Sequence, residues 1–191
     1  MPDTGPTTHI VRKRQTVVRA KVDRRVERTL KELLRAFVGL VTERNYRSIK
    51  VSDIVERANV GRSTFYDHFR TKDEILLTSM GWILEVLSDT VSPDQCRETL
   101  DDVVRHFWAN RQLGRIVLAP PIEPKIRRAL AASIEGRLSE TLRYSRDPTG
   151  SRIAAVSIAA GQLGLLEAWT RGEVSADADL ICDMIWEIAR R

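Results

Sequence analysis

Residues 48–72, SIKVSDIVERANVGRSTFYDHFRTK, constrain the fold of this 191-residue chain more than any other stretch. Apolar residues fall at Val51, Ile54, Val55 and Ala58, the spacing of one helical face. Asn59, Val60 and Gly61 then interrupt the pattern, since Asn tolerates the left-handed backbone region and Gly permits almost any. A second short helix over about Arg62–Phe69 follows at once. Two short helices across a three-residue turn, the second rich in hydrogen-bonding side chains, spell a helix-turn-helix. In that arrangement the first helix braces the second, whose opening residues enter the major groove of DNA.

The flanks extend this unit. From about Asp23, Val26, Leu30, Leu33, Leu34, Phe37, Leu40 and Val41 form one apolar stripe, which predicts a long helix ending near Glu43–Asn45, with Asn45 in a left-handed cap. Tyr46 and Ile49 are expected in the core of the resulting head, together with Phe65 and Phe69. Thr71 is the predicted N-cap of a helix to about Asp89, with Glu74 completing a capping box. Ahead of all this, residues 1–21 are read as a basic, partly disordered arm. Its cluster Arg12, Lys13, Arg14, Arg19 and Lys21 is either a solvated tail or an arm along DNA phosphates.

Charge supports the division. Residues 1–72 hold 17 Lys and Arg against 8 Asp and Glu, whereas residues 73–191 hold 14 against 18. A basic front and a mildly acidic rear suit a polyanion-binding module joined to something of another kind. Cys96 and Cys182 sit far apart without metal-ligand spacing, which fits reduced cytoplasmic thiols. No run of about 18 apolar residues and no secretory leader is read, so a membrane association is not expected.

The segment ANVGRSTFYDHFRTKDEIL, within residues 24–77, resembles the DNA-binding signature of the TetR/AcrR family of bacterial transcriptional repressors. Past Leu77 the likeness is architectural only. The resemblance implies an all-α fold of about nine helices: a helix-turn-helix domain over 22–71 and a helical regulatory and dimerisation domain over 72–191. It also implies a homodimer on a pseudo-palindromic double-stranded DNA operator, released by an unidentified small-molecule inducer. Arg62, Ser63 and Thr64 are expected at base edges; Arg62 has the fork for guanine and Thr64 a methyl for thymine. Tyr66, His68, Lys72 and Lys50 or Ser52 are expected on phosphates, which fix register without reading sequence. The chain departs from the family pattern at Lys50, where a capping Thr is usual, at Asn59 for a turn Gly, and at Gly61 for a Ser.

The rear half reads as helix throughout, with breaks at Ser92–Asp94, at Ala119-Pro120-Pro121 and at an Asp147–Gly150 turn. Helices are expected at about 94–110, 113–118, 125–144 and 151–171, and from a Ser175 cap to about Ala189. Ala154, Ser157, Gly161, Gly164 and Ala168 make a seam of small residues, and Ile181, Met184, Ile185 and Ile188 share a face of the last helix. Helical glycines cost roughly 1 kcal/mol each, so a close helix contact is expected: a four-helix dimer interface, or packing inside one subunit. Trp82, His106, Phe107, Trp108, Tyr144, Gln162 and Trp169 are the side chains available to a ligand pocket. No catalytic constellation, cofactor-binding motif or metal-ligand spacing is found, and no enzyme is expected. Two rival readings remain: a helical ligand- or partner-binding module with only non-specific DNA binding, and a DNA-acting enzyme, which needs a catalytic Ser, Tyr or acidic cluster that the rear half lacks.

Overall fold

A computed structural model describes residues 7–92, 97–140 and 147–190, with side chains described from Arg25 onward. Ten α-helices are found there, and no strand among the described residues: α1 (Thr7–Glu43), α2 (Val51–Arg57), α3 (Arg62–His68), α4 (Lys72–Ser79), α5 (Gly81–Asp89), α6 (Arg97–Ala109), α7 (Arg111–Val117), α8 (Glu123–Ser139), α9 (Pro148–Arg171) and α10 (Ala178–Arg190). A 3-10 turn, Tyr46–Ser48, joins α1 to α2.

The head is built on the expected stripe. Leu33, Phe37, Leu40 and Val41 of α1 are buried against Ile54 of α2 and Phe65 of α3, with Tyr46, Ile49 and Phe69 closing the core. Val26, at the far end of the stripe, lies beyond that core and is 46% exposed. The α2–α3 turn needs a left-handed residue, and Asn59 supplies it at φ 52°. Lys50 is the N-cap of α2 but has no acceptor to offer, so the Asp53 carboxylate closes the turn by accepting from the Lys50 backbone N–H at 2.7 Å. Gly39 leaves α1 bare where the Arg57 guanidinium crosses it; a Cβ there would meet Nη2 at 2.9 Å. Arg57 thereby reaches Glu43 through two hydrogen bonds of 2.6 and 2.7 Å, tying the end of α2 to α1.

Several expected boundaries move, for local reasons. The first helix starts at Thr7, not near Asp23, because no Gly or Pro interrupts residues 7–38. Asn45 is extended (φ −61°, ψ 132°), not left-handed; its side chain instead accepts from Arg47 N–H at 2.9 Å and starts the 3-10 turn. Thr71 caps α4 through Glu74 N–H at 3.2 Å, but the Glu74 carboxylate accepts from Arg70 N–H at 2.6 Å, one residue earlier than a capping box requires. The helix expected over 71–89 breaks at Met80 into α4 and α5, which raises the count from nine to ten. Asp147–Gly150 is the first turn of α9, not a free turn. Asp147 caps it through Gly150 N–H at 2.8 Å, and Pro148 occupies a first-turn position where no N–H is needed. α10 is capped by Asp177, which accepts from Leu180 N–H at 2.8 Å, in place of Ser175.

In the body, α8 and α9 form the most extensive pair, α5 packs on α8, and α10 lies on α6 and α9. α9 is long and apolar enough on average to cross a bilayer by length and composition alone, although Arg152, Ser157, Gln162 and Glu167 interrupt it. Its buried side, with Ala155, Ala159, Leu163, Leu166 and Trp169, is instead the centre of the body core. Gly172, at φ 80°, ends it in the left-handed conformation that glycine adopts without penalty. Replacing Phe65, fully buried between the two helices of the turn, by alanine is expected to destabilise the fold by about 3–5 kcal/mol in urea unfolding.

Candidate nucleic-acid interface

The side chains of α3 divide by burial. Phe65 and Phe69 face inward with ring centroids 5.6 Å apart. Arg62 and Ser63 are exposed, Thr64 and His68 half-buried, and Tyr66 is 48% exposed. The Tyr66 ring stands edge-on to Phe65 at 5.5 Å, and the Arg62 guanidinium lies 5.9 Å from its centroid, so both project from one rigid face. Lys50 and Ser52, at the start of α2, are exposed as well. Beside this face runs a groove in which Arg25, Val26 and Thr29 of α1 meet Asn59, Gly61, Thr64 and His68. The sequence reading passed over Arg25; only the packing of α1 brings it there. Side chains of the basic residues 12–21 lie outside the described part.

Lys72 occupies a different environment. Its ammonium donates to the carbonyls of Tyr46 and Ile49 at 2.7 and 2.8 Å and lies 4.5 Å over the Tyr46 ring. Two of its three N–H groups therefore close the loop between α1 and α2. Burial pushes its pKa down, partly offset by neighbouring Asp73.

Asp73 is the centre of this cluster. It accepts hydrogen bonds from the Tyr46 hydroxyl and from Lys125, at the start of α8. Burial alone would raise the Asp73 carboxyl. Hydrogen bonds from Lys125 and Tyr46, with the charges of Lys125 and Lys72, outweigh it and hold the carboxyl below its ordinary value. Burial and the bond to Asp73 push the Tyr46 phenol upward. The head, the connecting helix and the body thus meet at one carboxylate. Residues 46, 73 and 125 are too far apart in sequence for any spacing pattern to join them.

The seven side chains considered for a pocket do not converge. Trp82 is 48% exposed and stands edge-on to His106 at 5.7 Å. Trp108 is 44% exposed and stacks on buried Trp169 at 4.7 Å. Gln162 is fully buried, donating to Thr90 Oγ1 at 2.8 Å, which holds α9 to the end of α5. Tyr144 lies outside the described residues. Of the six described, His106 and Phe107 alone line a cavity of about 330 Å³. Its other walls come from Phe37, Val38 and Val41 of α1, from Leu76, Ser79, Met80 and Ile83 around the α4–α5 break, and from Asn110, Leu113, Gly114 and Val117.

The expected dimer seam splits in the same way. A Cβ on Gly161 would meet Ile188 at 3.0 Å, so that part of the seam receives α10 of the same subunit. Ile181 and Ile185 are buried in the subunit core, having 1% and 0% exposure, and have no surface to offer a partner. Ala154 and Ala168 are half-buried. Ser157, Gly164 and Met184 face outward, beside Ile153, Val156 and Leu180, which are 62%, 46% and 51% exposed. Among the described residues no cluster of three or more His, Cys, Asp or Glu could hold a metal. Cys182 is buried, which pushes its thiol pKa up; Cys96 lies outside the described residues.

Fold and site together define an all-helical protein with a helix-turn-helix head on a helical body. Residues 33–78, from α1 to α4, match the family model of the bacterial regulatory proteins of the tetR family. It is 39% identical over 80 residues to the HTH-type transcriptional regulator YxbF of Bacillus subtilis (strain 168), a match spanning 39% of this chain and 21% of that protein. To the HTH-type transcriptional regulator CymR of Pseudomonas putida it is 27% identical over 129 residues, 61% of this chain and 63% of that one. The chain thus spans less than two thirds of either relative. The crystal structure of a TetR transcriptional regulator from Streptococcus agalactiae 2603V superposes with a TM-score of 0.57 at 23% identity, covering 90% of this chain and 99% of that one.

Because Asp73 is held ionised by its partners, its contribution to stability is full at neutral pH and is lost as pH falls through its depressed pKa, below about pH 4. Asp73→Asn is expected to flatten the acid limb of the stability curve. Tyr46→Phe, which removes a hydrogen bond to a charged acceptor, is expected to cost about 1.5–3 kcal/mol at pH 7 in chemical denaturation.

Proposed function

We propose that the protein is a homodimeric one-component transcriptional repressor that binds a pseudo-palindromic DNA operator and leaves it when a small molecule binds the body. The observation that carries this reading is the outward face of α3, where Arg62, Ser63 and Tyr66 project while Phe65 and Phe69 anchor the helix. Arg62, Ser63 and Thr64 read base edges; Tyr66 and His68, with Lys50 and Ser52, hold phosphates. Lys72 acts chiefly by positioning: it fixes the loop that sets α2 against α1, and its remaining N–H can meet a phosphate. Arg25 adds charge next to α3. Dimerisation uses the outward sides of α9 and α10, where Val156, Gly164 and Met184 offer apolar and small surface to a symmetry mate.

The test uses a duplex selected by the protein from random sequences. Alanine at Lys50, Tyr66 and His68 together is expected to abolish binding at about 150 mM salt, with unchanged circular dichroism. Arg62→Ala is expected to relax preference at one base pair by about 1–3 kcal/mol while leaving the salt slope nearly unchanged. Retention of tight, selective binding by the triple variant would sink the reading. Val156→Glu with Met184→Glu is expected to give a monomer in sedimentation and to lose the preference for paired half-sites.

A further inference from the structure

We infer that the cavity between head and body is the effector site, and that it takes a mainly apolar molecule with its one polar group at the outer end. This deepens the proposed function and rests on it only for the consequence of binding, not for the site. The interior wall is hydrocarbon and aromatic, and among the described residues no formally charged side chain lines it. A carboxylate or ammonium placed inside would lose its hydration without a counter-ion, so the part of the ligand that enters the cavity is uncharged. The volume of about 330 Å³ lies at the lower end of the range for small-molecule sites. That size suits a compact ligand.

Polarity is confined to one side. His106 and Asn110 lie one turn apart on the exposed side of α6 and its end, with Asn110 Nδ2 3.0 Å from the His106 carbonyl and 3.4 Å from its Nδ1. An imidazole and an amide at the mouth offer both donors and acceptors to a hydroxyl, carbonyl or amide. Ser79 is turned to its own helix, donating to the Leu76 carbonyl at 2.6 Å. The ligand therefore enters apolar end first and stops with its polar group between His106 and Asn110.

The walls explain why occupancy reaches the head. Phe37 faces the cavity from one side of α1 and meets Tyr46 edge-on at 6.4 Å, and Tyr46 is bonded to Asp73. Met80, on another wall, is the residue at which α4 and α5 separate. A molecule seated here presses on the head helix and on the break in the connecting helix at once.

The experiment titrates straight-chain primary alcohols of six to twelve carbons into the full chain without DNA, following Tm and tryptophan fluorescence, since Trp82 lies against His106. α,ω-Dicarboxylates of the same lengths, which cannot enter without carrying a charge inside, serve as counterparts. The expected result is saturable binding of the alcohols with a length optimum, and at least tenfold weaker binding of the dicarboxylates. Asn110→Trp closes the mouth from an exposed position and is expected to abolish binding while the unliganded chain keeps its circular dichroism and cooperative unfolding. Leu113→Phe, which fills the interior, is expected to shift the optimum to shorter chains. Equal binding of the dicarboxylates would overturn the ligand class. Unchanged binding in both variants would overturn the location, and absence of binding by every alcohol would overturn the site. None of these outcomes depends on DNA, so the operator reading stands or falls separately on the duplex assays above.

Discussion

The carboxylate of Asp73 is the contact on which the relation between head and body depends. It sits at the start of the helix that leaves the DNA-binding unit, and it receives Tyr46 from the loop behind α1 and Lys125 from the body helix α8. Lys72, one residue earlier, closes the same loop from the other side. Such a junction is worth little if viewed as a surface ion pair, since the Asp73 side chain keeps 42% of its exposure. Its weight comes from geometry. One carboxylate joins three elements, so a change in the tilt of α4 must break or stretch bonds to both neighbours.

The remainder of the head is organised to make that junction matter. α2 and α3 have only seven residues each, too short to be stable by themselves. They hold their places through Ile54 and Phe65, fully buried under α1, and through the Arg57–Glu43 pair that Gly39 makes room for. The placement of α2 and α3 within the head is therefore set by α1, and the head's orientation on the body by α4.

How much of this was legible in the sequence follows from the range of the interactions. The helix-turn-helix was readable almost to the residue, because a left-handed Asn59 and the alternation of buried Phe65 and Phe69 with outward Arg62 and Tyr66 are local properties. The caps were only half readable. Asn45, Glu74 and Ser175 were assigned to motifs that their neighbours Arg47, Arg70 and Asp177 redirected. The small-residue seam of α9 did signal close packing, but periodicity does not say which helix approaches, and Gly161 receives Ile188 of its own subunit. The cavity was least legible. Aromatic residues were the natural suspects, yet Trp108 and Trp169 stack on each other, while aliphatic side chains from distant helices supply much of the wall.

The break at Met80 gives these separate facts a common mechanical sense. A continuous helix from Lys72 to Asp89 would transmit a body movement to the head as a rigid lever. With α4 only eight residues long, about 12 Å by helical rise, the piece that carries the head is small and is held at its far end by Asp73. Under the inferred site, a ligand at Met80 would act on the near end of α4 while the Tyr46 and Lys125 bonds restrain the other, which favours rotation of that short segment. Under the proposed function two such heads must meet major grooves one DNA turn apart, about 34–36 Å. A rotation that alters either head's approach destroys a match that the symmetry of the dimer requires twice. Modest differential affinity at the cavity is then multiplied through both subunits.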